Sequence, residues 1–190
     1  MMKKLIFCIG LILLGMSCKV PIGGRDNSLM KQVYQNQKSY YDDIKISDKK
    51  DYTSIINFGS KGREELYKKN GIQLSGLQDC IVLEGFNPVW GNYRGLLISN
   101  KGSYVYRNNA TGKWDMELIN IDSGDIEKRA GIARDVIDKV RLWDTLYINN
   151  QRKQLGAYMT DGFVFMATRV QYIDRHNTKI ETIAFNEFVH

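Results

Sequence analysis

Four short apolar runs separated by turn residues, between Cys80 and Ile121, constrain this chain more than any other feature. Cys80 to Phe86 reads as a strand, and Asn87-Pro88 with Gly91-Asn92 marks a turn. Tyr93 to Ser99 is a second strand, and Asn100-Lys101-Gly102 turns the chain into a third, Ser103 to Arg107. Residues Asn108 to Lys113 form another turn before a fourth, Trp114 to Ile121. Turns this short bring each strand back beside its sequence neighbour, running the opposite way, so the pattern predicts an antiparallel meander.

The stretch from about Ser123 to Leu142 has a different period. Ile126, Ala130, Ala133, Ile137 and Val140 recur at steps of four and three, which places them on one face of a helix. Lys128, Arg134, Asp135, Asp138 and Arg141 fall on the opposite face, with Arg134 and Asp138 one turn apart. Asp122 or Ser123 is suited to cap this helix, and Asp125 and Glu127 put negative charge in its first turn. A further strand is predicted over Thr145 to Asn149, and two long ones over Gly162 to Ile173 and Lys179 to Val189. The fold class is therefore α+β: a mostly antiparallel sheet covered by one main amphipathic helix, about 123–142, with a helical N-terminal region.

That N-terminal region is predicted as a helix over Leu29 to Ile44, capped by Ser28, and a short one from Ser60 to Lys69, stopped by Asn70-Gly71. Pro21, Gly23 and Gly24 make the residues before it an irregular tether.

Catalytic residue types are scarce. The two histidines, His176 and His190, fall in a hairpin turn and at the last position, where rigid geometry is hard to achieve, so a hydrolase triad and a His-rich zinc site are not expected. Asp122 and Asp125 could serve a cation or act as a carboxylate pair, but helix capping accounts for them more simply. Glu84 and Asp115 are expected on exposed strand faces. Phe86, Trp90 and Tyr93 gather around two turns and Trp114 follows a third. Rings on loops can stack on sugars, which makes Trp90, Tyr93 and Trp114 candidate ligand-binding residues; plugging one end of the core is the plainer role. No cofactor and no metal are expected.

The first eighteen residues bear on location. Lys3 and Lys4 precede an apolar run of about ten to twelve residues, well short of the roughly 20 that a membrane-crossing helix needs. Gly15, Met16, Ser17 and Cys18 follow, of which Gly15 and Ser17 are small. A basic head, a short apolar core and small residues before a cleavage point describe an export signal. Leu14 four places before Cys18, and Ser17 directly before it, resemble the lipobox of bacterial lipoproteins. The resemblance implies cleavage after residue 17, lipid on Cys18 and anchorage in the bacterial cell envelope, with the outer membrane favoured because Lys19 stands where an aspartate would retain the protein. Residues 1–17 are then the signal, 18–28 the lipidated cysteine and tether, 29–76 the helical or irregular N-terminal region, and 77–190 the α+β domain.

Removal of the signal would leave 173 residues (190 − 17) and lower the net charge from +6 to +4, because Lys3 and Lys4 leave with it. That dispersed charge does not form a nucleic-acid footprint. Of the three cysteines only Cys80 would remain unmodified, as a small buried hydrophobe at the start of a strand. The expectation is a lipid-anchored, non-enzymatic envelope protein whose partners are the membrane and an envelope protein or glycan. The alternatives are an inhibitor or immunity-type protein and a glycan- or peptidoglycan-binding module.

Overall fold

The computed structural model describes residues 22–43, 49–87, 92–108, 112–147, 164–174 and 177–186. Residues 1–17, over which an export signal is expected, and Cys18, Trp90, His176 and His190 lie outside them. The architecture is α+β. Six strands, β1 (Asp79–Asn87), β2 (Asn92–Ser99), β3 (Gly102–Asn108), β4 (Trp114–Ile119), β5 (Val164–Tyr172) and β6 (Thr178–Asn186), form one sheet in the order β4-β3-β2-β1-β5-β6. Every neighbouring pair is antiparallel. The first four strands are the predicted meander, and the β5–β6 hairpin joins it on the free side of β1.

Helices cover both faces. On one face lie α1 (Ile22–Asp43), α2 (Lys49–Lys69) and a 3-10 turn at Leu74–Gly76. Leu29, Met30 and Val33 of α1 and Ile56, Leu66 and Tyr67 of α2 meet Val82, Phe86, Leu97, Met166 and Val170 of the sheet. On the other face α3 (Ile126–Ala130) and α4 (Arg134–Arg141) pack on Leu83, Leu96, Val105, Phe165 and Phe185. Because both faces are covered, β1 is buried from Cys80 to Asn87 without alternation. Cys80 is part of the first core.

The N-terminal helices therefore share the sheet's own core. They are also longer than the periodicity predicts. The tether expected over 18–28 is helical from Ile22 onward. Gly23 and Gly24 disfavour that conformation locally, but a helix anchored by Leu29, Met30 and Val33 extends one residue at a time without a new nucleation cost. The predicted stop of α2 is observed. Gly71 takes φ 66°, and Gly71 N–H and Ile72 N–H donate to Lys68 O and Tyr67 O at 3.3 and 2.8 Å.

The amphipathic stretch is two helices rather than one. Gly131 adopts φ 62° and ends α3 by donating its N–H to Glu127 O at 2.7 Å. The left-handed residue redirects the chain so that Ile132, which would leave the apolar stripe of a continuous helix, is fully buried. Arg94 of β2 hydrogen-bonds the Gly131 carbonyl, and the predicted Arg134–Asp138 pair forms at 3.2 Å. Gly131→Ala is expected to cost about 1–2 kcal/mol from the left-handed backbone alone. Its new Cβ would also lie 2.6 Å from Arg94 Nη1 and push that bond aside. Urea unfolding would show the loss as a lower midpoint with an unchanged slope.

The strand predicted over Thr145 to Asn149 is instead a helical turn at 145–147, residues 148 and 149 lying outside the described ones. Asp144 is the cause: its Oδ1 accepts the Tyr147 N–H at 3.0 Å, an N-cap that starts a turn and competes with extended structure.

Candidate functional site

A cluster of buried polar side chains lies in the core, between α1, α2 and the sheet. Its geometry follows from one row of cross-strand neighbours: Met166, Glu84, Gly95 and Tyr106, on β5, β1, β2 and β3. A Cβ on Gly95 would fall inside the Tyr106 ring. Glycine there lets the ring lie flat across β2, and the Tyr106 hydroxyl donates to Glu84 Oε1 at 2.7 Å. Glu84 Oε2 accepts from Arg63 Nη1 of α2 and from Gln37 Nε2 of α1, the latter at 2.8 Å. Gln37 also bridges outward. Its Nε2 reaches Thr168 Oγ1 at 3.2 Å, its Oε1 accepts from Arg63 Nη2 at 3.3 Å, and Thr168 meets Thr182 of β6 at 3.0 Å.

Arg63 is 0% exposed and Glu84 1% exposed, so this ion pair is fully removed from water. Burial is the largest single influence and works against the Arg63 charge, but Glu84 together with the nearby Tyr106, Tyr93 and Tyr67 outweighs it, and the guanidinium stays charged. Burial pushes the Tyr67 and Tyr106 phenols well above their usual range; the Glu84 charge reinforces this in both, and Arg63 opposes it. Arg63 Nε has no hydrogen-bond partner among the described residues. The arrangement is a closed polar junction: one carboxylate receives one donor each from α1, α2 and β3. Chemically it can orient two helices on a sheet.

Glu84 is thus not on an exposed face as expected. Both faces of β1 are covered, and its charge is tolerated inside because three donors replace its water. Asp115 is exposed, as expected. Arg63 escaped sequence reasoning altogether. The available signal was its spacing: seven residues after Ile56 and three before Leu66, it stands on the apolar stripe of α2.

Of the candidate ligand-binding aromatics, Trp90 lies outside the described residues, and Tyr93 and Trp114 are brought together. Their rings are 5.3 Å apart and T-shaped, and Phe58 of α2 adds a third ring 5.1 Å from Trp114. Tyr93 is buried and Trp114 half-buried. Each rests on a glycine of α2, Tyr93 over Gly59 and Trp114 over Gly62, so closely that a Cβ on either glycine would penetrate the ring. The two glycines are three residues apart, hence on one face of α2. They form a trough in which the rings lie, and Phe58, 41% exposed, is the most open of the three rings.

The carboxylates near α3 are also accounted for by local contacts, though not by the expected capping. No side chain caps α3. Asp122 instead pairs with Arg141 of α4, and Asp125 accepts from the Ser123 hydroxyl, which lowers its pKa. Among the described residues no three His, Cys, Asp or Glu side chains gather as a metal site would require. No described helix is long and apolar enough to cross a membrane. Comparison of the chain with protein families, with curated proteins and with solved structures finds no match.

Proposed function

We propose that this chain is a lipid-anchored envelope protein that acts by binding or structural association rather than by catalysis. The observation that carries the proposal is the order of residues from Met1 to Cys18: a basic head, a short apolar run, small residues and a cysteine. One acyl chain holds a protein at a membrane only marginally, so stable anchorage on Cys18 would take more than one. The roles of the polar side chains favour association over chemistry. Glu84 is enclosed by Arg63, Gln37 and Tyr106, and Asp122 and Asp125 are held by Arg141 and Ser123. A reacting group needs access to substrate, which Glu84 lacks.

A protein partner, as for an inhibitor, suits this better than a glycan held by Trp90, Tyr93 and Trp114, because the Tyr93 ring is already covered by α2. Cys18→Ser is expected to abolish incorporation of a radiolabelled fatty acid and to shift the protein from the membrane fraction to the soluble one. Retention of both label and membrane association in that variant would refute anchorage through Cys18.

A further inference from the structure

The two edges of the sheet differ in a way that identifies a binding surface. On the β5–β6 side, each pair of facing residues is one step from the next, from Val164 with Asn186 to Tyr172 with Thr178, with no bulge. Ile173 N–H donates to Asn177 O at 3.0 Å just beyond the last pair. Hydrogen-bonded pairs alternate with non-bonded ones in antiparallel sheets. It follows that Lys179, Glu181, Ile183 and Phe185 turn their backbone groups toward β5, and Thr178, Ile180, Thr182 and Ala184 turn theirs away. The Asn36 side chain confirms the direction by donating to Ile180 O at 3.3 Å. A carbonyl oxygen has a second lone pair, so that contact leaves an acceptor available. Among the described residues no strand lies beyond β6. Between α1 and this edge lies an open groove of about 370 Å³ lined by Gln32, Gln35, Asn36, Ser39, Thr178 and Ile180.

The β4 edge is unlike it. The Met116 N–H is already taken by Asp115 Oδ1 at 3.0 Å. Asp115 and Glu117 stand on the same face, so a second β4 placed alongside about Met116 would bring acid against acid. On β6 the corresponding residues are Lys179 and Glu181, one on each side of Ile180, both solvent-accessible and 2.9 Å apart. We propose that β6 pairs antiparallel with β6 of a second copy about a twofold axis at Ile180, joining two sheets into one. That axis sets Ile180 opposite Ile180 and Thr178 opposite Thr182, all with outward backbone groups. It also sets Lys179 of each copy opposite Glu181 of the other in a non-hydrogen-bonded pair, where side chains come closest. The edge is thus complementary to itself in hydrogen bonding and in charge, as an isologous interface must be.

The test is the molar mass of the full-length chain in detergent, by sedimentation across a concentration series, for the unaltered protein and three variants. The unaltered chain should be a dimer. Lys179→Glu and Glu181→Lys should each weaken it by about tenfold, because each creates two like-charge pairs. Lys179→Glu/Glu181→Lys should restore it. Both side chains are at the solvent-facing edge, so far-UV circular dichroism should be the same in all four. A chain that stays monomeric overturns the proposal and leaves the edge to an extended peptide of another protein. A dimer indifferent to both single substitutions, or not restored by the double one, overturns it as well.

Discussion

Arg63→Met is expected to lower the stability of this protein by about 3–5 kcal/mol, a large part of the roughly 5–15 kcal/mol that holds a typical domain together. The substitution keeps an unbranched apolar stem in α2 and removes only the guanidinium. What remains is the Glu84 carboxylate, 1% exposed, with Gln37 and Tyr106 as its donors and no compensating charge. The cost comes from that uncompensated charge more than from any net strength of the ion pair, because desolvating two charges offsets much of their attraction. Arg63→Met/Glu84→Gln should therefore recover at least about 2 kcal/mol, since a neutral amide can still accept from Tyr106 without a buried charge. Urea unfolding of the two variants checks both values. A loss below about 1 kcal/mol for Arg63→Met would mean that water reaches Glu84 and that the junction does not hold the helices.

Gly62→Ala is expected to destabilise the protein by about 1–3 kcal/mol, against the local preference of the helix. In an exposed helix interior the same change would stabilise by about 1 kcal/mol, because alanine restricts the unfolded backbone and glycine does not. Here the added methyl would occupy the space of the Trp114 indole, so α2 must lift away from β4 or the ring must move. The sign of the effect should depend on the ring. In a Trp114→Val background the obstruction is gone and Gly62→Ala should become neutral or stabilising. A thermal-unfolding double-mutant cycle measures that coupling directly. The same loss in both backgrounds would show that Gly62 does not serve as a seat for Trp114.

Both predictions concern residues whose type gives little away. Glycine within a helix is ordinarily unfavourable, and Ser60 by itself reads as a helix start; the ring that needs the space at Gly62 is 52 residues further on (114 − 62). Arginine in Ser-Lys-Gly-Arg-Glu-Glu reads as a solvated cation, and Glu84 in a strand reads as an exposed acid. Each is buried only because the other, with Gln37 and Tyr106, supplies what water would have supplied.

What the sequence determined by itself is what local physics controls. Asn100-Lys101-Gly102 and Asn70-Gly71 fix where strands and helices turn, through backbone angles that few residues adopt. The apolar runs 80–86 and 164–168 are strands, and the stripe from Ile126 to Val140 packs on the sheet even though Gly131 divides it. The candidate signal and Cys18 are equally matters of residue order. Tertiary structure alone decided that β5 joins the meander beside β1, and that α1 and α2 close the same face. It also decided that a carboxylate and a guanidinium 21 residues apart share one buried junction. The free energy of a charge or a ring depends on what surrounds it, and those surroundings come from segments distant in the chain.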